Sequence, residues 1–115
     1  LESRGLGDVY KRQIYMFLAL NRFKIVKGKE KAFEKIWRER DTHLKGVDGF
    51  VAFNLMRGES KKTYSLYASH STWESKKHFE NWIKSENFRL AHKNAGQHRE
   101  VYLGPPELET FEKAL

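Results

Sequence analysis

A chain of 115 residues, 39% of them hydrophobic and 32% charged, is long enough for one domain with a single core. It has no cysteine, which excludes disulfides, thiolate-bound zinc and iron–sulfur clusters and fits a cytoplasmic location. No apolar run approaches the roughly 18 residues of a membrane span. The formal net charge of +7 favours an acidic ligand, nucleic acid or an anionic surface, but the basic residues are scattered, so we expect no nucleic-acid partner.

The first predicted element is a strand over residues 14–25, which are rich in large apolar side chains. Residues 1–13 show no periodicity and resemble a translated adapter sequence, so we interpret them as a non-native leader and 14–115 as the functional domain. Alternation in the strand puts Asn21 on the same face as Phe17, Ala19 and Phe23. Because both faces are largely apolar, we expect both to be covered.

The middle of the chain predicts a helix followed by a hairpin. Apolar residues recur at helical spacing over residues 28–44, and Gly46 supplies a stop signal. Strand-like runs follow at 50–57 and 63–70, and the polar segment 58–62 between them is typical of a hairpin connection.

Two helix starts are predicted after the hairpin. Ser71 and Glu74 have the spacing of a capping box, and the helix that they open carries Trp82 on its apolar side. Ser85 is followed by a glutamate and gives a second N-cap signal, which predicts a break and a fresh short helix. His92 lies on the apolar face of that short helix.

The elements follow the order β-α-β-β-α-β, provided that the ambiguous pattern of residues 107–115 forms the last strand. This order predicts an α+β, ferredoxin-like fold with its helices on one face of the sheet. A single copy would leave large side chains of the other face in water. We therefore predict a homodimer that packs sheet against sheet into an α+β barrel.

Three residues are candidates for chemistry. A neutral imidazole on an apolar face, such as His92, is the usual ligand of haem iron, although an ordinary histidine bonded to backbone would fit the same pattern. Trp82 has the spacing of a core residue, and it lies ten positions before His92, about 15 Å of continuous helix, so both could contact one ligand only if the helix breaks. The Asn21 amide costs about 1–3 kcal/mol among apolar neighbours unless its hydrogen bonds are made, either to backbone or to a bound polar atom.

Other motifs contribute little. The remaining histidines have no metal-ligand spacing, and the chain has no glycine-rich phosphate loop or nucleophile elbow. Trp37 and Trp73 are expected to be packing residues.

Beyond residue 13 the chain resembles the dimeric α+β-barrel monooxygenases and, more narrowly, their IsdG-type haem-degrading branch. In that branch an asparagine on the first strand, a tryptophan on the later helix and a histidine ten positions further on form the haem site. Asn21, Trp82 and His92 match in type, order and spacing. The segments that carry the resemblance are 16–23, 27–28, 48–50, 73–75, 81–85 and 88–92.

The resemblance implies that haem b is both substrate and cofactor and is cleaved to a bilin with release of iron, as in iron acquisition. Molecular oxygen and an external electron donor, a reductase or a small-molecule reductant, would be required. His92 would bind the iron, Asn21 would hydrogen-bond to the ligand on the iron, and Trp82 would press against the macrocycle. Lys93 and Arg99 are candidate partners of the propionates. Two alternatives are a cofactor-independent monooxygenase of quinol-like aromatics and a non-catalytic haem-binding protein.

Overall fold

The described part of the chain, residues 16–94 and 96–115 of a computed structural model, folds into four strands and three helices. The predicted leader, residues 1–13, lies outside the described residues. No helix within these ranges is long and apolar enough to cross a bilayer. The elements are β1 (Phe17–Val26), α1 (Glu30–Glu39), β2 (Phe50–Ser60), β3 (Tyr64–Trp73), α2 (Lys76–Ile83), α3 (Glu86–His92), a 3-10 turn (Arg99–Val101) and β4 (Glu107–Glu112).

The strands form one antiparallel sheet in the order β2-β3-β1-β4. β1 is central, because it pairs with β3 along its whole length and with β4 over residues 17–22. The ambiguous terminal segment therefore does supply the last strand. The predicted ferredoxin-like α+β fold is confirmed, with the second helical segment divided in two.

The core lies on the helix side of the sheet and consists of two separate clusters. Alternation along β1 sends Phe17 and Ala19 into one cluster and Phe23 and Ile25 into the other. Asn21 lies on the same face, between the two pairs, so an amide stands where the apolar packing divides. The first cluster also contains Leu44, Trp73, Phe79 and Trp82, and the second contains Phe33, Tyr67 and Val101.

The opposite face of the sheet carries large apolar side chains that no helix of the described residues covers. Leu18 and Leu20 are half-buried there, and Leu18 pairs with Phe111 of β4, which is 49% exposed. Met56 of β2 lies on the same face and is 51% exposed. We call this surface, defined by these four residues, the open face.

The helix predicted over residues 28–44 is shorter than its apolar pattern. It ends at Glu39, because Arg40 adopts an extended backbone with ψ 135. The Asp41 carboxylate then accepts a 2.9 Å hydrogen bond from the His43 N–H, a local turn that competes with helix. Leu44 still reaches the core, but from a loop.

The capping box predicted at Ser71 is wrong. Ser71 remains in β3, where it pairs with Ala19 of β1, because the strand continues to Trp73. Ser75 caps α2 instead, and its Oγ accepts a 3.2 Å hydrogen bond from the His78 N–H.

Candidate functional site

The helical segment that follows β3 breaks at Ser85, and this break positions the site. Ser85 Oγ accepts a 3.2 Å hydrogen bond from the Phe88 N–H and so caps α3, as predicted. The same hydroxyl donates a 2.6 Å bond to the Trp82 carbonyl at the end of α2, and the Ser85 N–H lies 2.9 Å from that oxygen. The chain therefore turns at Ser85, and Trp82 and His92 face one space.

That space is a cavity of about 270 Å³ between the sheet and the helices. Asn21, Trp82 and His92 all line it, so the structure brings the three predicted site residues together. The surrounding wall is largely apolar or aromatic. It includes Ala19, Trp37, Leu44, Phe53, Phe79, Phe88 and Leu108.

A second cavity of about 480 Å³ adjoins the first. The two share four lining residues, Asn21, Trp37, Arg40 and His92. The volume of the second cavity alone falls within the roughly 300–1,000 Å³ of pockets that hold small molecules. Its remaining wall comes from Phe23, Gly96, Arg99, Tyr102, Gly104, Pro105 and Pro106.

His92, the last residue of α3, has a defined tautomer. Its Nδ1 lies 2.8 Å from the Phe88 carbonyl oxygen, which can only accept, so Nδ1 carries the proton and the Nε2 lone pair is free. The ring also stacks on Phe88 with the centroids 4.0 Å apart. Partial burial lowers the pKa of His92, the Phe88 bond raises it less, and the Arg40 charge lowers it further. The lowered pKa favours the neutral imidazole, which is the form that binds a metal.

Trp82 and Asn21 are held by their surroundings. Trp82 is 7% exposed, packs edge-on against Phe88 with centroids 5.5 Å apart, and lies 6.0 Å from the Trp73 ring. It is therefore both a core residue and a wall of the cavity. Asn21 is half-buried, and its backbone pairs with β3 on one side and β4 on the other.

Two residues of this site were missed by the sequence reasoning. Trp37 was expected only to pack; it does stack on Phe53, at 5.8 Å, but it also lines both cavities. Arg40 follows Phe33 and Trp37 at the apolar spacing of α1, so a charge on the apolar stripe was the available signal. Its guanidinium reaches α3 and lines both cavities.

The two candidate propionate partners lie in different places. Arg99 lines the second cavity together with His92. Lys93 lines neither of the two cavities and faces a separate groove between α1 and α3.

The fold and the apolar cavity under its helices define a small ferredoxin-like α+β domain with a ligand-sized cavity, and the comparison with known families identifies its family. The sequence matches the family described as antibiotic biosynthesis monooxygenase over residues 16–94. The chain therefore belongs to the antibiotic biosynthesis monooxygenase family.

Its relatives include haem-degrading proteins, which confirms the predicted resemblance. A heme oxygenase (staphylobilin-producing) of Staphylococcus epidermidis is 33% identical over 86 residues, covering 71% of this chain and 78% of the relative. The heme-degrader MhuD of Mycobacterium tuberculosis, solved with two hemes in its active site, superposes with a TM-score of 0.66 at 24% identity, over 86% of this chain and 96% of that one.

The same fold also serves another chemistry. SnoaB of Streptomyces nogalater, a cofactor-independent oxygenase, superposes with a TM-score of 0.63 at 23% identity, over 87% of this chain and 94% of its own. The fold alone therefore does not decide between haem and a cofactor-free substrate.

Proposed function

We propose that this protein is an oxygen-dependent monooxygenase that cleaves haem b to a bilin and releases the iron. The observation that carries the proposal is His92, whose Nδ1 bond to the Phe88 carbonyl leaves Nε2 without a proton and which lines one cavity together with Trp82 and Asn21. The 33% identity to a curated heme oxygenase supports the same substrate.

The residues present fit a haem. Aromatic and aliphatic side chains line most of the first cavity, which suits an apolar macrocycle. Arg99 lines the second cavity and provides positive charge for a carboxylate. His92 offers one neutral nitrogen donor, as a haem iron requires.

Each residue would have a distinct role, with haem supplying the redox chemistry. His92 binds the iron through Nε2, while the Phe88 carbonyl holds the ring in orientation, as the hydrogen-bond partners of ligating histidines generally do. Trp82 is fixed between Trp73 and Phe88 and gives a rigid wall that constrains the macrocycle. Asn21 supplies an amide donor inside the cavity.

We also propose a homodimer formed through the open face. Phe111 and Met56 are each about half exposed on this face, and an exposed apolar sheet surface is typical of an interface. The reaction also requires molecular oxygen and an external electron donor. We place the protein in the cytoplasm, which the cysteine-free composition favours.

Hemin titration of the full chain tests the proposal. We expect stoichiometric uptake with a Soret band, loss of the histidine–iron signature in His92→Ala, and no change in the matched control His98→Ala, whose residue is exposed and lines neither cavity. Addition of reductant and oxygen should then bleach the Soret band, and mass spectrometry should detect a bilin.

Each contrary result has a definite meaning. A chain that takes up no hemin would favour a cofactor-independent oxygenase, the activity of SnoaB. Uptake without degradation would indicate a haem-binding protein. An unchanged spectrum in His92→Ala would show that another residue binds the iron.

A further inference from the structure

Arg40 is a half-buried arginine, and the inference drawn from its contacts rests on the proposed function. It is half-buried beyond the end of α1, and burial lowers its pKa. Within the described ranges no carboxylate lies at ion-pair distance from its guanidinium. Partial burial of a cation without a carboxylate partner costs free energy, so its other hydrogen bonds must offset this cost.

Those hydrogen bonds converge on a single atom. Arg40 Nε and Nη2 lie 3.2 Å and 2.8 Å from the carbonyl oxygen of Ala91, the residue immediately before His92. This carbonyl is in the last turn of α3, where main-chain oxygens lack partners within the helix. A cation also interacts favourably with the negative end of a helix.

The guanidinium itself is held in place. Its Cζ lies 4.5 Å from the centroid of the Trp37 ring, a cation–π contact, and Trp37 is stacked on Phe53. Arg40 can reach Ala91 because α1 ends at Glu39 and the Arg40 backbone is extended. The early end of α1 is thus linked to the contact with α3.

Helix α3 needs such a restraint, because it has only seven residues and isolated helices of that length are marginal. The Phe88 carbonyl fixes the His92 ring, but Phe88 belongs to the same short helix. We propose that Arg40 is a positioning residue that anchors the last turn of α3 to α1 and thereby directs His92 Nε2 toward the iron of haem.

Direct contact with a propionate is the competing role, since Arg40 also lines both cavities. The two roles differ in how they depend on the metal. A positioning role acts through the histidine–iron bond, whereas a propionate contact is the same for any porphyrin with the same carboxylates.

The experiment compares hemin with metal-free protoporphyrin IX. In Arg40→Gln we expect hemin affinity to fall by about 10- to 100-fold, as for other residues that orient a metal ligand, with a changed Soret maximum and little change for protoporphyrin IX. Arg40→Lys keeps the charge and should recover part of the affinity. Arg38→Gln, an exposed arginine of the last turn of α1 that lines neither cavity, is the matched control.

A double mutant separates the roles further. If Arg40 acts through His92, adding Arg40→Gln to His92→Ala should not weaken hemin binding again. Equal losses for both porphyrins, or a second loss in the His92→Ala background, would overturn the inference in favour of direct contact. A wild-type chain that takes up no hemin would instead refute the proposed function, and the positioning role with it.

Amide hydrogen exchange of the ligand-free protein tests the anchor by itself. Exchange in the last turn of α3 should be faster in Arg40→Gln than in the wild type and in Arg38→Gln. Unchanged exchange would show that the Ala91 contact does not hold the turn.

Discussion

Replacing Ser85 by alanine tests whether the break between α2 and α3 builds the site. The hydroxyl of Ser85 makes two hydrogen bonds, one accepted from the Phe88 N–H and one donated to the Trp82 carbonyl. Alanine removes both. We expect a less stable fold and an α3 that no longer holds His92 firmly against the cavity.

The expected loss follows from these two bonds. A serine N-cap is worth about 1 kcal/mol, and a neutral hydrogen bond contributes about 1 kcal/mol more, so Ser85→Ala should cost about 2 kcal/mol. For a domain of this size that lowers the melting temperature by roughly 8–16 °C. If the whole loss of about 2 kcal/mol came from disordering α3, hemin affinity would fall by at most about 30-fold.

Ser75→Ala is the matched control for this prediction. Ser75 caps α2, and its hydroxyl also makes two hydrogen bonds, both to His78, so its removal should destabilise the fold comparably. Thermal unfolding and hemin titration of both variants give the comparison. If the two variants lose hemin affinity equally, the break at Ser85 does not position His92.

Three further predictions concern stability and assembly. Gly49→Ala should lower the free energy of unfolding by at least about 2 kcal/mol in urea titrations, because Gly49 has φ +80 and a Cβ there would lie 2.1 Å from the His78 ring; a smaller loss would show that the loop moves freely. The hydrogen bond from the Tyr67 hydroxyl is the main cause of the lowered pKa of Glu34. The stability that this bond gives the folded state is therefore present above pH 4.5, the ordinary pKa of the carboxyl, and is lost as pH falls through the lowered pKa. Tyr67→Phe should therefore make stability less sensitive to acid, and an identical difference between pH 3 and pH 7 in both proteins would contradict this. Phe111→Asp on the open face should shift the protein toward monomer in sedimentation, whereas a wild type that is already monomeric would refute the homodimer.

The sequence predicted those parts of the fold for which the residue pattern is compatible with only one local structure. Alternation in β1 predicted that Asn21 shares a face with Phe17 and Phe23, and the cap at Ser85 predicted the break that brings Trp82 and His92 to one cavity. Both are local signals, because strand alternation and N-capping depend only on neighbouring residues.

Long-range competition decided what the sequence did not predict. The apolar spacing of α1 continues through Arg40 to Leu44, but Arg40 leaves the helix and bonds to Ala91, 51 residues away. Likewise Ser71 has good capping chemistry but stays in β3, because pairing with β1 extends that strand. In both cases a tertiary partner, absent from the local pattern, outweighs the local preference.

The division of the core into two clusters has a consequence for measurement. Along β1 the buried apolar side chains are interrupted at Asn21, which lines the first cavity, so a ligand bound in that cavity would add contacts to the core. A ligand that binds only the folded state raises stability by about 2.7 kcal/mol at one hundred times its dissociation constant. Thermal denaturation in the presence of porphyrins, quinols and other flat aromatics can therefore rank candidate substrates without any assay of turnover.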